Sequence, residues 1–256
     1  MDDYLVFQLY APLAAWGGQA VGQERPSDDH PSRSALLGLL AAALGIRRDQ
    51  EAEHKALSHA CRFGIKLPAP GLALRDFHTI QVPPSAKKQQ HLQTRRDELR
   101  EPKVGTMLSF RSYRQDAISV VAVVSEDEHY SLQRLNDALL EPVFPLYLGR
   151  KACPPALPLN PDIIPAPDLK TALDGYCMDP LLVECCAKWL DAASRERNDN
   201  TLSAAERCAI SSRYYWEADM ESGMDHDFQT PRYDQPLIRQ RWQFAPRDEF
   251  VCLGGE

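Results

Sequence analysis

The chain has 256 residues, of which 44% are hydrophobic and 25% charged, and its formal net charge is −7. That length and apolar share suffice for one large packed domain or two small ones, and the acidic balance excludes a protein that coats nucleic acid indiscriminately. No run approaches the roughly 20 apolar residues of a membrane helix, the acidic start MDDYLVFQLY lacks the basic flank of a signal peptide, and the seven cysteines include no CxxC pair, so a cytoplasmic protein with reduced structural thiols and no membrane partner is expected.

From the amino terminus, YLVFQLYAP (4–12) reads as an opening strand by its β-branched and aromatic content, running into a turn at Trp16, Gly17 and Gly18. In HPSRSALLGLLAAALGI (30–46) the only non-aliphatic residues from Ala35 onward are Gly38 and Gly45, so a helix there has no water-facing stripe and must be buried. Pro31 and Ser32 suit its start, Ser32 or Ser34 can cap its orphan amides, and Gly45 fits the position just past its end. Such a mouth, with Arg33 in it, suits a phosphate; the plain alternative is a helix cap with Arg33 in solvent. RFGIKLPAPG reads as a short strand ended by prolines and RDFHTIQVPP as a further extended piece, after which residues 85–105 lack an apolar period. ISVVAVV is a buried strand, and SFRSYR before it alternates, placing Phe110 and Ser112 on one face and Arg111 and Tyr113 on the other. HYSLQRLNDALLEP is a second helix, with Leu132, Leu135 and Leu139 at helical spacing and Pro142 closing it.

The order strand, helix, strand, long hairpin, strand, helix is that of an α+β, ferredoxin-like sheet covered by two helices, with one hairpin greatly extended. A proline-dense stretch follows Glu141, and residues 191–230, charged and aperiodic, read as an exposed polar insertion.

Charge is uneven: between Lys87 and Arg114 stand eight Lys and Arg against three acids, and Arg232, Arg239, Arg241 and Arg247 form a second basic stretch. Single-stranded RNA is held by cations along its phosphates and by rings on which splayed bases stack, so the interleaved SFRSYR run offers Arg111, Tyr113 and Arg114 for that work; the bland reading is a solvated charged face. Lys87, Lys88, Arg95 and Arg96 add an exposed basic segment. In YLGRK, Tyr147, Gly149, Arg150 and Lys151 pair a glycine, which lets backbone approach a phosphate, with two cations, although Gly149 alone would equally make a turn. Trp16, Trp242 and Phe244 read as core residues first and stacking residues second. None of the seven histidines sits at a metal-ligand spacing such as HExxH, and neither GxSxG nor a Walker loop occurs, so no metal and no cofactor is implied. The enzymatic alternative is metal-independent RNA cleavage, a base taking the 2′-OH proton while a cation steadies the phosphorane; His78, Lys87 or Lys88, and Tyr113 have the right chemistry. A third reading is an adaptor whose basic stretches are covered by acidic partners.

Five stretches, YLVFQLYAPLAAWG, RPSDDHPSRSALLGLLAAALGI, TMLSFRSYRQDAISVVAVV, EPVFPLYLGRKACPPALPL and DQPLIRQRWQFAPR, lie in order from residue 4 to 247. Together they resemble the CasD-type subunit of type I-E CRISPR Cascade, in the Cas-five branch of the RAMP superfamily. The resemblance implies a ferredoxin-like, RRM-related RNA-binding domain over residues 1–150, with a β-hairpin thumb at about 77–112, and a smaller β-rich part over 151–256. It implies an antiviral ribonucleoprotein role: holding the 5′ handle of a CRISPR RNA, capping the filament of CasC-type backbone subunits, meeting the CasA-type large subunit, and reaching target DNA only through the complex. In that family branch a separate subunit cuts the precursor, so binding without catalysis is implied here, by Arg33, Ser34, Lys87, Lys88, Arg95, Arg96, Arg111, Tyr113, Arg114, Tyr147, Gly149, Arg150 and Lys151.

Overall fold

The computed structural model describes residues 1–18, 20, 22–83, 93–100, 104–193, 212–238 and 243–254. In chain order they form β1 (Asp2–Tyr10), β2 (Leu13–Ala14), β3 (Glu24–Arg25), α1 (Arg33–Ala43), α2 (Glu51–Ala60), β4 (Cys61–Ala69), β5 (Leu72–Val82), α3 (Arg95–Glu98), β6 (Gly105–Gln115) and β7 (Ile118–Ser125). There follow α4 (Leu132–Leu140), β8 (Asp162–Ala166), α5 (Leu169–Gly175), α6 (Pro180–Ala193), β9 (Arg213–Glu217), β10 (Phe228–Ile238) and β11 (Gln243–Cys252).

Seven strands make one antiparallel sheet in the order β10-β11-β9-β4-β7-β1-β8. Within it β8-β1-β7-β4, with α1 between β1 and β4 and α4 between β7 and β8, reproduces the ferredoxin-like order expected from the sequence. Leu5, Phe7 and Leu9 of β1 pack with α1, α2 and α4 on one face, while Tyr4 and Val6 pack with α5 on the other. Coverage on both faces is why β1 reads as an unbroken apolar run rather than an alternating one. No helix among the described residues is long and apolar enough to cross a membrane.

The sheet is continuous across residue 150, since β8 pairs with β1 and β9 with β4. The insertion expected over 191–230 is corrected in part: Arg213–Glu217 is an interior strand whose Tyr214, Tyr215 and Trp216 are buried. RYYWE was hidden in the sequence by the acids after it, which defeat any window average. Residues 194–211 of that stretch lie outside the described residues. Helix α2 was also illegible, because its apolar face reduces to Leu57 with His54 and Ser58 beside it.

Helix α1 is the all-round apolar helix that its sequence demands: none of its residues is exposed, Ser32 caps Ala35 N–H through its hydroxyl, and Gly45 follows the end with φ +76°. Arg33, however, does not point to solvent. It is 5% exposed, pairs with Glu217 of β9, and donates to the carbonyls of Ser58 (2.5 Å) and Cys61 (2.9 Å). The reading of Arg33 as a phosphate ligand is therefore corrected: an apolar helix in a closed core can present a cation at its first turn only inward, and that cation then needs a buried carboxylate. Its backbone N–H donates to Asp234 Oδ2 at 2.7 Å, so the anion at the helix mouth is a carboxylate of this chain.

Breaking a buried pair leaves its partner uncompensated, so Arg33→Ala is expected to cost about 3–5 kcal/mol in equilibrium denaturation. Arg33→Met combined with Glu217→Gln, which removes both charges, should lose distinctly less; equal losses would refute an ion-pair origin.

Candidate nucleic-acid interface

A second, four-stranded sheet carries the hairpin expected as the thumb. β5 and β6 pair along their whole length from Leu72↔Gln115 to Val82↔Gly105, with β2 and β3 on the other edge of β6. The hairpin thus runs 72–115, slightly longer than the expected 77–112. Register assigns one face to Arg75, Phe77, Phe110, Ser112 and Arg114, and the other to Asp76, His78, Arg111 and Tyr113. On the first face Phe77 is 54% exposed, its ring 5.3 Å from that of Phe110, and the Arg75 guanidinium lies 4.3 Å from the Phe110 centroid. This places an exposed ring and two arginines on one strand pair, the alternation that stacking on bases requires.

Tyr113 is not available for that task. It is 7% exposed and covered by the Arg150 guanidinium at 4.6 Å, so its assignment as a base-stacking residue is corrected. The face that alternation gave it turns out to be the face packed on the body. The proposed cleavage set is not assembled either. His78 lies opposite Ser109 and Tyr113 opposite Leu74, four residues apart along β6, or about 13 Å. His78 Nε2 is 2.5 Å from Asp76 Oδ2, off the hydrogen-bonding axis. Lys87 and Lys88 lie outside the described residues. Arg95 is occupied by Glu98 at 2.5 Å and by the Gln81 carbonyl, whereas Arg96 is exposed.

Four of the remaining candidates, Ser34, Tyr147, Gly149 and Arg150, line an open groove of about 650 Å³ at the base of the hairpin. Its walls come from four places: the turn after β1 (Ala15, Gly17, Gly18), the run from β3 into α1 (Arg25, Pro26, Ser32, Ser34), the loop after α4 (Phe144, Tyr147, Gly149, Arg150) and the β10–β11 pair (Pro236, Gln243, Phe244). Arg47 and Arg48, just past α1, complete it. Among the described lining residues stand four arginines, Arg25, Arg47, Arg48 and Arg150, and no carboxylate.

Arg150 is a keystone rather than a free cation. It donates to the carbonyls of Ser112 (3.0 Å) and Arg25 (3.1 Å), joining the α4 loop to β6 and β3, while one face of its guanidinium is stacked on Tyr113. Arg25 sits beside Arg111 in the parallel β3–β6 register, with Asp76 beyond Arg111 on β5. Cations placed side by side in a sheet repel one another, and a polyanion relieves that repulsion. Arg114 donates to the Asp28 carbonyl at 3.3 Å, Ser34 lies 3.1 Å from Ser32 through their hydroxyls, and Lys151 is exposed without lining the groove.

Gly149 answers the question its motif raised. It has φ +84°, and a Cβ there would lie 1.8 Å from the Ala15 carbonyl oxygen. It allows two groove walls to touch backbone to backbone, which serves the groove's shape. Sequence reasoning missed Arg25, Arg47 and Arg48: the first stands alone between Glu24 and Pro26, and the pair follows a helix end, where cations ordinarily read as compensating the dipole.

A second groove, of about 840 Å³, is rimmed by seven carboxylates, Asp2, Asp3 and Asp219 among them, against the one cation Arg62. A polyanion is repelled there.

Comparison with known proteins gives a consistent result. The family model described as CRISPR-associated protein (Cas_Cas5) matches residues 4–249. The CRISPR system Cascade subunit CasD of Escherichia coli (strain K12) is 29% identical over 264 aligned positions, which cover 100% of this chain and 98% of that one. Among solved structures, a chain of a CRISPR RNA-guided surveillance complex superposes with a TM-score of 0.62 and 26% identity, covering 98% of this chain and 90% of its own. A second, described as a Cas protein, shares the fold with a TM-score of 0.54 at 24% identity, covering 98% of this chain and 95% of that one.

Gly149→Ala is expected to lower stability by about 1–3 kcal/mol, read by thermal denaturation, because it combines a left-handed backbone with a clash. Lys151→Ala, at the exposed next-but-one position, should leave the melting temperature unchanged.

Proposed function

The chain belongs to the CRISPR-associated protein (Cas_Cas5) family, and we propose that it is a noncatalytic guide-RNA-binding subunit of a Cascade-type surveillance complex, holding the 5′ handle of the CRISPR RNA. One observation carries this reading: among its described lining residues the groove at the hairpin base has four arginines and no carboxylate, with Phe144, Tyr147 and Phe244 among its aromatic walls. Cations for phosphates serve any nucleic acid, but rings for unstacked bases, arranged around glycine backbone, serve a single strand and not a duplex.

In this reading Arg25, Arg47, Arg48 and Arg111 neutralise handle phosphates, Arg150 holds the walls at their spacing, and Tyr147 and Phe244 face bases. The names of two relatives, a Cascade subunit and a surveillance complex, support a place in such an assembly, and the partners that follow are part of the same proposal. As a subunit of such a complex the chain caps a filament of CasC-type backbone subunits and meets a CasA-type large subunit. Phe77, Met107 and Leu108, exposed on the hairpin, offer apolar contact to the next subunit, since a two-stranded ribbon with apolar residues open to water gains from being covered. The guide RNA, rather than this protein, then reads target DNA. The protein works in the cytoplasm, away from membranes and without a cofactor.

The purified chain should bind a labelled handle oligonucleotide in EDTA and leave a full repeat RNA intact. Arg47→Ala with Arg111→Ala should weaken binding without lowering the melting temperature, and flatten the dependence of log affinity on log salt by about 0.7 for each phosphate no longer neutralised. An unchanged salt slope would count against the groove. A single metal-independent cut in the repeat would show that the subunit makes its own guide.

A further inference from the structure

Between the groove and the carboxyl-terminal strands lies a histidine that the RNA reading does not use. His30 is 3% exposed and stacks on Tyr215 of β9, with ring centroids 3.7 Å apart. Its Nδ1 is 2.7 Å from Asp29 Oδ1 and its Nε2 is 3.0 Å from Glu249 Oε2 of β11. An ionised carboxylate only accepts, so two such contacts require a proton on each ring nitrogen, which makes the ring an imidazolium. The surroundings keep both carboxylates ionised. Arg213 of β9 is 3.2 Å from Asp29, and Glu249 has Arg247 at 2.7 Å and Arg232 of β10 at 3.7 Å. Arg114 of β6 adds its field at Asp29.

The position of this ring gives it a mechanical role. Asp29 and His30 continue directly from Arg25 and Pro26, which line one groove wall. That segment is hooked to the turn after β1 by Asp28 N–H to the Trp16 carbonyl (2.8 Å) and by Trp16 N–H to Ser27 Oγ (2.9 Å). Glu249 lies on the strand that carries Gln243 and Phe244, which line the opposite wall. We propose that His30 is a positioning residue for the RNA groove, a buried imidazolium strut that fixes the Arg25–Asp29 wall against the β11 wall, so that RNA affinity depends on the protonation of this one ring. The inference rests on the groove being the RNA site.

The direction of the pH effect follows. Burial opposes the charge on His30, but the bonds to Asp29 and Glu249 outweigh it and raise its pKa above the ordinary 6.5. Its contribution is therefore complete below about pH 6.5 and is lost as pH rises through the raised value. Asp29 and Glu249 work in the opposite sense. Burial opposes their ionisation too, yet the His30 bonds and nearby cations hold both at about 2, so they fail only in strong acid. A second histidine also lines the groove, His54, whose Nε2 is 3.1 Å from the Arg47 carbonyl, so the share of any pH dependence that belongs to His30 is the share that a His30 substitution removes.

The test uses the full chain with isotope-labelled histidine. At pH 7.5 both ring nitrogens of His30 should be protonated, and as the ring titrates the backbone amides of Gly17, Asp28 and Phe244 should move with it, in the free protein. A neutral ring at pH 7.5, or amides that ignore its titration, overturns the proposal without any variant having to fold. Handle affinity should fall about tenfold as the ring loses its proton, the worth of one buried charge-assisted hydrogen bond. His30→Gln, which remains uncharged, should begin that much weaker and lose the tenfold change, while a His54→Gln variant should keep it. If the wild type binds RNA with a flat profile, the strut does not position the groove. If amides and ring titrate together but no handle RNA binds at any pH, the RNA reading fails while the strut stands.

Discussion

Arg33 and Glu217, 184 residues apart in sequence, meet in the core, and the relation between the two halves of the fold depends on that meeting. Taking both charges out of water costs several kcal/mol per ion, which their attraction offsets only if the remaining hydrogen-bonding groups find partners. All but one do: the Ser58 and Cys61 carbonyls both accept from Nη2, Phe63 N–H donates to the Glu217 carboxylate at 3.1 Å, and only the guanidinium Nε is left without a partner among the described residues. Around this pair Asp234, Arg247, Glu249 and His30 extend the lattice from α1 through β9, β10 and β11. A hydrophobic core could have joined these elements as firmly, but apolar contact tolerates sliding. A lattice of paired charges tolerates one register.

The site inherits its form from that lattice. Because Asp234 occupies the amide mouth of α1 and Glu217 occupies Arg33, the start of the buried helix is already neutralised and has nothing left for a phosphate. The groove's cations come instead from segments outside the lattice: Arg25 before α1 and Arg47 and Arg48 after it, with Arg150 of the loop beyond α4 bracing the walls. The helix contributes small side chains instead. Ser34, Ala35, Gly38 and Ala42 form most of the floor, with Leu39 the one large side chain of the helix among its described lining residues. Anchor and ligand surface are the two sides of one helix.

What could be read from the sequence follows from whether the deciding contact is local. The buried nature of α1 needed only its own residues, as did its Ser32 cap and Gly45 stop, and the order of elements needed only periodicity. The direction of Arg33 depended on a carboxylate far along the chain. Tyr113 was placed on the correct face by alternation, yet whether that face meets water or protein depended on Arg150, in a loop 37 residues later. The YLGRK motif stands out for its cations and glycine; the glycine shapes a wall and the arginine binds carbonyls. Motifs identify residues that cannot be ordinary, and packing decides in which way.

Charge distribution removes the apparent conflict between an acidic chain and an anionic ligand. Asp2, Asp3 and Tyr4, at the start of β1, line the acidic groove, and Ala15, Gly17 and Gly18, just past its end, line the basic one. The strand between has 9 residues, about 30 Å. At physiological ionic strength a charge is screened over about 8 Å, so carboxylates at one end of β1 exert almost no force on a phosphate at the other. A net charge of −7 therefore sets the solubility of the whole and discourages indiscriminate nucleic-acid contact, while the groove acts with its own local sign. In the proposed reading, an approaching RNA is repelled from one end of the sheet and drawn to the other, which orients it before any base is touched.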